Sequence, residues 1–204
     1  MRTRMLVLGI GAAALLWLVG GRGVGAGDKK GDMLTPEQIM ELVEKLGKPG
    51  PDHKLLEPLV GEFICEVKVY TAPGKPPLES KAIAARKWIL GGRFLSERYE
   101  GEAFGKPFSG MGWIGFDNVK KKYTVAWVDS MSTSIMNSLG VYDRDTRTFT
   151  YTGEENSPFY GGKVKTRDTI RLVDNDTHVL EMYRQPIGGQ EFKTLEITCK
   201  RKAK

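Results

Sequence analysis

The most polar cluster of side chains that could carry chemistry lies in one short segment, residues 129–134. It places the carboxylate of Asp129 beside four hydroxyl groups, among them that of Ser132, and beside the thioether of Met131. Such a loop can present its polar groups to a ligand, or its Asp and Ser side chains can bond to their own backbone in a turn. The pattern favours the turn. No Gly-x-Ser-x-Gly motif is present, so serine hydrolase chemistry is poorly supported.

Arg93 and Asp168 are a second set of candidates. Asp168 shares the apolar alternation phase of residues 164–172, which predicts a carboxylate that faces inward. Burying a carboxylate alone is costly, so we expect a partner, either Arg93 or Arg98. A pair that contacts a ligand and a structural salt bridge are equally consistent with the pattern.

Trp113 and Trp127 are the aromatic candidates, because large side chains in strands either line a ligand cavity or fill a core. His178 shares its alternation phase with Leu180 and Met182. A haem-binding barrel would need one histidine in such a position. A surface or hydrogen-bonded histidine near a turn is the favoured interpretation. With only two histidines and two cysteines, the sequence has no zinc signature, and we expect no metal site and no cofactor.

The elements that position these residues are short strands. From Gly61 onward, apolar and polar residues alternate with a period of two, and turn residues separate the runs. The other nine runs cover residues 80–90, 94–102, 108–117, 122–129, 135–143, 148–155, 163–173, 178–184 and 191–200. Because a long antiparallel meander must close or cover its edges, we predict an all-β, about ten-stranded, up-and-down barrel with short N-terminal helices. A β-sandwich is the alternative.

Cys65 and Cys199 fall on the apolar phase of the first and last strands. Those two strands would be neighbours in a closed barrel, so a disulfide is geometrically possible. An exported protein would meet an oxidising compartment in which the bond can form. Two buried free thiols that act as small apolar side chains are the alternative.

Residues 1–26 are predicted to be a signal peptide. Arg2 and Arg4 precede an apolar run, residues 5–20, and small residues lead to a cleavage site after Ala26. We therefore predict export to the periplasm or the extracellular space, with an uncleaved membrane anchor as the alternative. Residues 27–50 are predicted to form a linker with a short amphipathic helix, and residues 51–204 the barrel domain.

The net charge argues against nucleic acid as a partner. The chain has 31 Lys and Arg residues and 25 Asp and Glu residues, which gives +6. The leader contains three of the arginines and no acidic residue, so 28 basic residues remain against 25, a net of +3. So small an excess is not the electrostatic footprint of nucleic-acid binding. We also expect no stable membrane insertion after cleavage.

Several motifs resemble those of a known bacterial family. They are PDHKLL at residues 51–56 with LVG at 59–61, LGGRFL at 90–95, GFDN at 115–118 and WVDSMST at 127–133. Their order resembles that of the family called domain of unknown function 1579, over about residues 50–200. In addition, Gly61-Glu62-Phe63 resembles the Gly-x-Trp signature of lipocalin-like (calycin) barrels, with Phe in place of Trp. The resemblance implies a lipocalin-like barrel, and it implies no activity.

These observations predict binding rather than catalysis. We expect a small, largely apolar ligand inside the barrel. The candidate ligand-binding residues are Arg93, Trp113, Trp127, Asp129, Met131, Ser132 and Asp168. An enzyme with a polar site at the barrel mouth is one alternative, with residues 129–134 at its centre. A protein-interaction module that docks through the helix of residues 36–46 is the other, and its partner is not indicated.

Overall fold

The computed structural model describes residues 33–203 and divides the chain into two units, Met1–Ile39 and Met40–Lys204. The predicted signal peptide and the first part of the predicted linker lie outside the described residues. Helix α1 (Pro36–Gly47) begins with a capping box, in which Gln38 N donates to Thr35 Oγ1 and Thr35 N donates to Gln38 Oε1. No helix within residues 33–203 is long and apolar enough to span a membrane.

Ten antiparallel strands follow and close into a barrel. Each strand pairs with its neighbours in the chain, and the last strand pairs with the first. The strands are β1 (Gly61–Val69), β2 (Leu78–Ile89), β3 (Phe94–Ala103), β4 (Lys106–Asp117), β5 (Lys122–Asp129), β6 (Met136–Asp143), β7 (Thr148–Ser157), β8 (Gly162–Leu172), β9 (Thr177–Pro186) and β10 (Phe192–Arg201). The predicted all-β up-and-down barrel is therefore confirmed, and the sandwich alternative is wrong.

A short helical segment fills one end of the barrel. It consists of α2 (Pro51–Lys54) and a 3₁₀ helix (Glu57–Leu59). Leu56 and Leu59 are fully buried in the apolar cluster of the barrel interior. Arg201, at the end of β10, fixes this segment because its guanidinium donates to the carbonyl oxygens of Pro58 and Val60.

The two halves of the barrel interior differ in how tightly they are packed. The half next to the helical segment, here called the plugged half, is closed by buried side chains: Leu95, Ile114, Tyr123, Phe149, Ile170 and Leu172. At the other end the strands are joined only by loops and by a second 3₁₀ helix (Pro158–Tyr160). Several inward side chains there are partly exposed to solvent, although Val67, Ala82, Tyr99 and Val164 are buried. We call this part of the interior the open half, and it is the place where a ligand could enter.

Candidate functional site

The open half is bounded by inward positions on strands β5 to β9 that solvent still reaches. These positions are Trp127, Ser138, Gly153, Glu155, Thr166, Asp168 and Met182. Strand alternation places them on the same face as the buried residues Phe149, Tyr151 and Ile170 of the plugged half. Partial exposure at these inward positions means that solvent reaches the interior wall formed by strands β5 to β9.

The inward glycines show where the empty space lies. Gly112 and Gly140 have no room for a β-carbon. At Gly112 it would lie 2.6 Å from the carbonyl oxygen of Ala126 and 3.0 Å from the Trp127 ring, and at Gly140 it would lie 2.5 Å from the Tyr151 ring. Gly153 differs, since only Thr166 Oγ1 approaches the same point, at 3.3 Å. Aromatic rings therefore lie over the first two glycines, whereas at Gly153 the only atom within 4 Å of that point is the Thr166 hydroxyl oxygen.

A buried arginine organises the polar wall of this space. Arg184 is 7 % exposed, and it holds two inward carboxylates. Arg184 Nε donates to Glu155 Oε1 at 2.9 Å, and Arg184 Nη1 donates to Asp168 Oδ1 at 2.6 Å. Burial raises the pKa of Asp168 above its usual value, although Arg184 acts in the opposite direction. The structure thus corrects the partner expected for Asp168, which is Arg184 and neither Arg93 nor Arg98.

Two aromatic rings lie at the rim of this wall. Tyr160 packs edge-on against Phe192, with ring centroids 5.7 Å apart. Burial raises the pKa of the Tyr160 hydroxyl, and the charges of Arg184 and Glu155 shift the pKa in opposite directions. The hydroxyl therefore lies within electrostatic reach of the Arg184 site, at the entrance to the open half.

The predicted site residues do not form one cluster. Arg93 is exposed and follows the β2–β3 turn at the plugged end, where its Nη1 donates to Leu90 O. Trp113 alternates with the buried residues Gly112 and Ile114, so its ring faces outward and is 42 % exposed. The expectation that Trp113 lines the cavity or fills the core is wrong for this reason. Trp127 and Asp168 do face the interior.

The side chains of Asp129, Ser130 and Ser132 form hydrogen bonds within their turn or to the strands beside it. Asp129 accepts hydrogen bonds from Trp127 Nε1 at 3.0 Å and from Met131 N at 2.9 Å. Ser132 Oγ accepts from Ser134 N at 3.0 Å, and Met131 is 58 % exposed. These are the bonds of the structural turn that the sequence favoured. Ligand contact by Asp129, Met131 and Ser132 stays a prediction.

Sequence reasoning missed a second polar cluster deeper in the barrel. Arg86 donates to His178 Nε2 at 3.0 Å and forms an ion pair with Glu97 at 2.7 Å. His178 is 1 % exposed, so the surface alternative is wrong, whereas a hydrogen-bonded histidine close to a turn is what the structure shows at the start of β9. Tyr151, also buried in this interior, has a hydroxyl without a hydrogen-bond partner among the described residues. Arg86 shares its alternation phase with Ala82 and Ala84, and this spacing in the sequence indicates that the arginine faces inward.

The buried histidine predicts a dependence of stability on pH. Burial, and then the nearby charges of Arg86 and Arg201, lower the pKa of His178 to about 2. Because an unfolded histidine has a pKa near 6.5, the unfolded chain binds the extra proton as the pH falls below that value. We expect the free energy of unfolding to drop by about 2 kcal/mol from this group between pH 6.5 and pH 5.

Urea unfolding of the wild type and of His178→Gln, at pH 7 and at pH 5, measures this contribution. The glutamine can still accept from Arg86 and does not titrate, so the variant should lose about 2 kcal/mol less than the wild type over this interval. Equal losses in the two proteins would show that His178 is not held neutral in the fold.

The geometry defines the class of protein: a closed ten-stranded antiparallel barrel, plugged at one end, with a partly open interior that contains a buried arginine and two carboxylates. No group of three or more His, Cys, Asp or Glu residues between residues 33 and 203 is arranged to hold a metal ion. The family model described as "Protein of unknown function (DUF1579)" matches residues 48–201, and the chain belongs to this family.

Two solved structures are similar to this chain to different degrees. The crystal structure of Rv2717c from M. tuberculosis is similar over 76 % of this chain and 100 % of that chain, with a TM-score of 0.55 and 16 % identity. A redesigned β-barrel, b11L5F_LGL, aligns over 74 % of this chain and 95 % of its own, with 14 % identity and a TM-score of 0.37. No curated protein matches the sequence. At these identities, the first similarity supports the barrel fold alone.

Proposed function

We propose that this protein binds a small molecule in the open half of its barrel. The observation that carries the proposal is the set of inward positions around Gly153 that solvent reaches, on the wall that also holds Asp168 and the buried Arg184. Binding sites in proteins are concave, largely preformed and lined by apolar groups with a few placed polar ones. The open half has this composition.

Its apolar wall lies across the barrel from Asp168. In a ring of ten strands, β3 stands opposite β8, so Tyr99 of β3 faces the polar wall. The Tyr99 ring packs edge-on against Trp127, with centroids 6.2 Å apart, and against Phe108, at 5.8 Å. A ligand with an apolar body and a polar end fits these two walls, which refines the largely apolar ligand expected from the sequence.

Binding would take place outside the cytoplasm. The apolar run of residues 5–20 and the disulfide between Cys65 and Cys199 both support export, because such bonds persist in oxidising compartments. A lipocalin-like role, in which the barrel carries or captures a small molecule, agrees with this location. Fold similarity alone does not assign a function, so the proposal depends on the interior site.

Titration with the uncharged fluorophore N-phenyl-1-naphthylamine tests the proposal. We expect saturable binding to the full chain and at least a tenfold weaker affinity for Gly153→Phe, because the new ring occupies the space beside Thr166. Thr152→Phe is the matched control, since Thr152 is the adjacent, exposed and outward residue of β7. The control should bind like the wild type.

Two results would overturn the proposal. One is the absence of saturable binding to a wild-type protein whose circular dichroism shows a folded barrel. The other is equal binding by the wild type, Gly153→Phe and Thr152→Phe, which would place the fluorophore outside the open half.

A further inference from the structure

The connections at the open end of the barrel have large apolar side chains at or near their tips. Because the strands run antiparallel, every second connection lies at this end: residues 70–77, 104–105, 130–135, 158–161 and 187–191. The apolar residues that are more than half exposed there are Phe104, Met131, Ile135, Phe159 and Ile187, and the connection of residues 70–77 leads to the half-exposed Leu78. Each connection at the open end therefore presents an apolar group to solvent.

These five connections contain little charge. Their charged residues are Lys75 and Glu191, which are opposite in sign. In the four connections at the plugged end, by contrast, half of the residues are charged: Arg93, Lys120, Lys121, Arg144, Asp145, Arg147, Asp174 and Asp176. Those four connections contain two apolar residues that are more than half exposed, Leu90 and Val119. The plugged end is thus a charged surface, whereas the open end is an apolar one.

The arrangement of the apolar groups indicates what kind of partner they contact. Exposed apolar groups that are gathered in one region mark an interaction surface. A protein partner requires matched shapes and a polar rim around an apolar centre. Here the apolar groups lie on five separate connections around the mouth of a barrel. The interface of a lipid bilayer suits such an arrangement, because binding to it scales with the apolar area that becomes buried.

We propose that the open end of the barrel attaches to the surface of a lipid bilayer without net charge. The apolar tips enter the boundary between the headgroups and the acyl chains, and the barrel mouth faces the membrane. An anionic lipid surface is recognised by clusters of basic residues, whereas the charges of these connections, Lys75 and Glu191, cancel. The attachment is peripheral and reversible. It concerns the outer surface of the protein and does not rest on the proposed function.

A fluorescent label at one tip tests where the protein contacts lipid. Phe159→Cys is labelled with the environment-sensitive fluorophore NBD in the full chain, and Leu90→Cys is the matched control at the plugged end. Cys65 and Cys199 are bonded to each other and buried, so each variant has one reactive thiol. On addition of phosphatidylcholine vesicles, we expect NBD emission at residue 159 to rise severalfold, because the label leaves water, and emission at residue 90 to stay unchanged.

Paired substitutions test how much the tips contribute to affinity. Phe104→Asn/Phe159→Asn removes two apolar tips, and Leu90→Asn/Val119→Asn makes the same change at the plugged end. Phe104 and Leu90 are matched in backbone conformation, since their φ angles are 52° and 49°, which asparagine accepts. We expect vesicle partitioning of the full chain to fall about tenfold in the first variant and to stay within about twofold in the second. The apolar run of residues 5–20 is common to both variants.

Four results would overturn the inference. One is the absence of vesicle binding by the wild type, and another is an equal loss in the two double variants. Unchanged NBD emission at residue 159 in a vesicle-bound chain would assign the binding to another segment, such as residues 5–20. Emission at residue 159 that rises with protein concentration, without vesicles, would assign the open end to a second copy of the chain. The fluorophore titration contains no vesicles, so it decides the proposed function separately.

Discussion

Glu97→Gln should lower the free energy of unfolding by about 3–5 kcal/mol. Glu97 is the ionic partner of Arg86, and the two side chains are 11 % and 5 % exposed. Removing the carboxylate charge leaves the positive charge of a deeply buried guanidinium uncompensated, because both the new glutamine and His178 are neutral. Urea unfolding at pH 7, followed by circular dichroism, measures the loss.

Glu100→Gln is the control for this prediction. Glu100 lies on the same strand but faces outward, and its side chain and that of its partner Arg98 are both more than two-thirds exposed. Exposed pairs of this kind contribute little, so the change should stay below about 0.5 kcal/mol. Losses of equal size in the two variants would contradict a buried ionic cluster around Arg86.

A double replacement shows whether the loss of stability in Glu97→Gln comes from the unpaired arginine or from the absence of the ion pair itself. Arg86→Met combined with Glu97→Leu removes both charges together, and such replacements are often close to neutral in stability. We expect this variant to be clearly more stable than Glu97→Gln. That result would show that the cost of Glu97→Gln comes from the arginine left unpaired.

Cys65→Ala/Cys199→Ala should lower the free energy of unfolding by about 2–5 kcal/mol. The disulfide joins β1 to β10, the two strands at which the barrel closes, and it spans 134 residues of sequence. A crosslink over so long a loop restricts the unfolded chain strongly. Unfolding in urea of the wild type and the double variant gives the difference directly.

The accessibility of the Cys65–Cys199 disulfide to a reductant is a second test of the same bond. Cys65 is 0 % exposed and Cys199 is 2 % exposed, so a reductant reaches the sulfurs only when the barrel opens. Mild reductant without urea should leave both thiols unavailable to an alkylating agent. Rapid alkylation of the native protein would contradict the closed seam between β1 and β10.

Strand alternation and turn residues were sufficient to predict the barrel, because ten runs with a period of two leave few other ways to cover their edges. The same alternation placed both cysteines on the inward phase. Their pairing could only be offered as one of two alternatives, since sequence does not give register. The structure places Cys65 directly opposite Cys199 in the ladder between β1 and β10.

Trp113 shows why parts of the site could not be predicted. The inward phase of β4 contains Gly110 and Gly112, which carry no apolar signal because the Trp127 ring supplies the bulk above them. The outward phase contains Met111 and Trp113, so it looks like the buried one. Trp127, on the neighbouring strand β5, thus determines which face of β4 is buried. The β4 sequence alone does not contain this information.

The other site residues that could not be predicted are charged residues that face the barrel interior. Arg86, Glu97 and Arg184 resemble solvent-facing positions in sequence, because buried charges are rare unless they are paired. Their partners come from strands that are adjacent only once the register is known: Arg86 stands opposite Glu97, and Arg184 stands opposite Thr166, next to Asp168. The pairing follows from tertiary structure.

A crystal structure of the protein grown with N-phenyl-1-naphthylamine would show whether a ligand binds inside the barrel. We expect an ordered fluorophore inside the open half, in contact with Gly153 and between the Arg184 site and the Tyr99 and Trp127 rings. A fluorophore ordered only on the outer surface, or side chains that close the space beside Gly153, would contradict a binding site in the barrel.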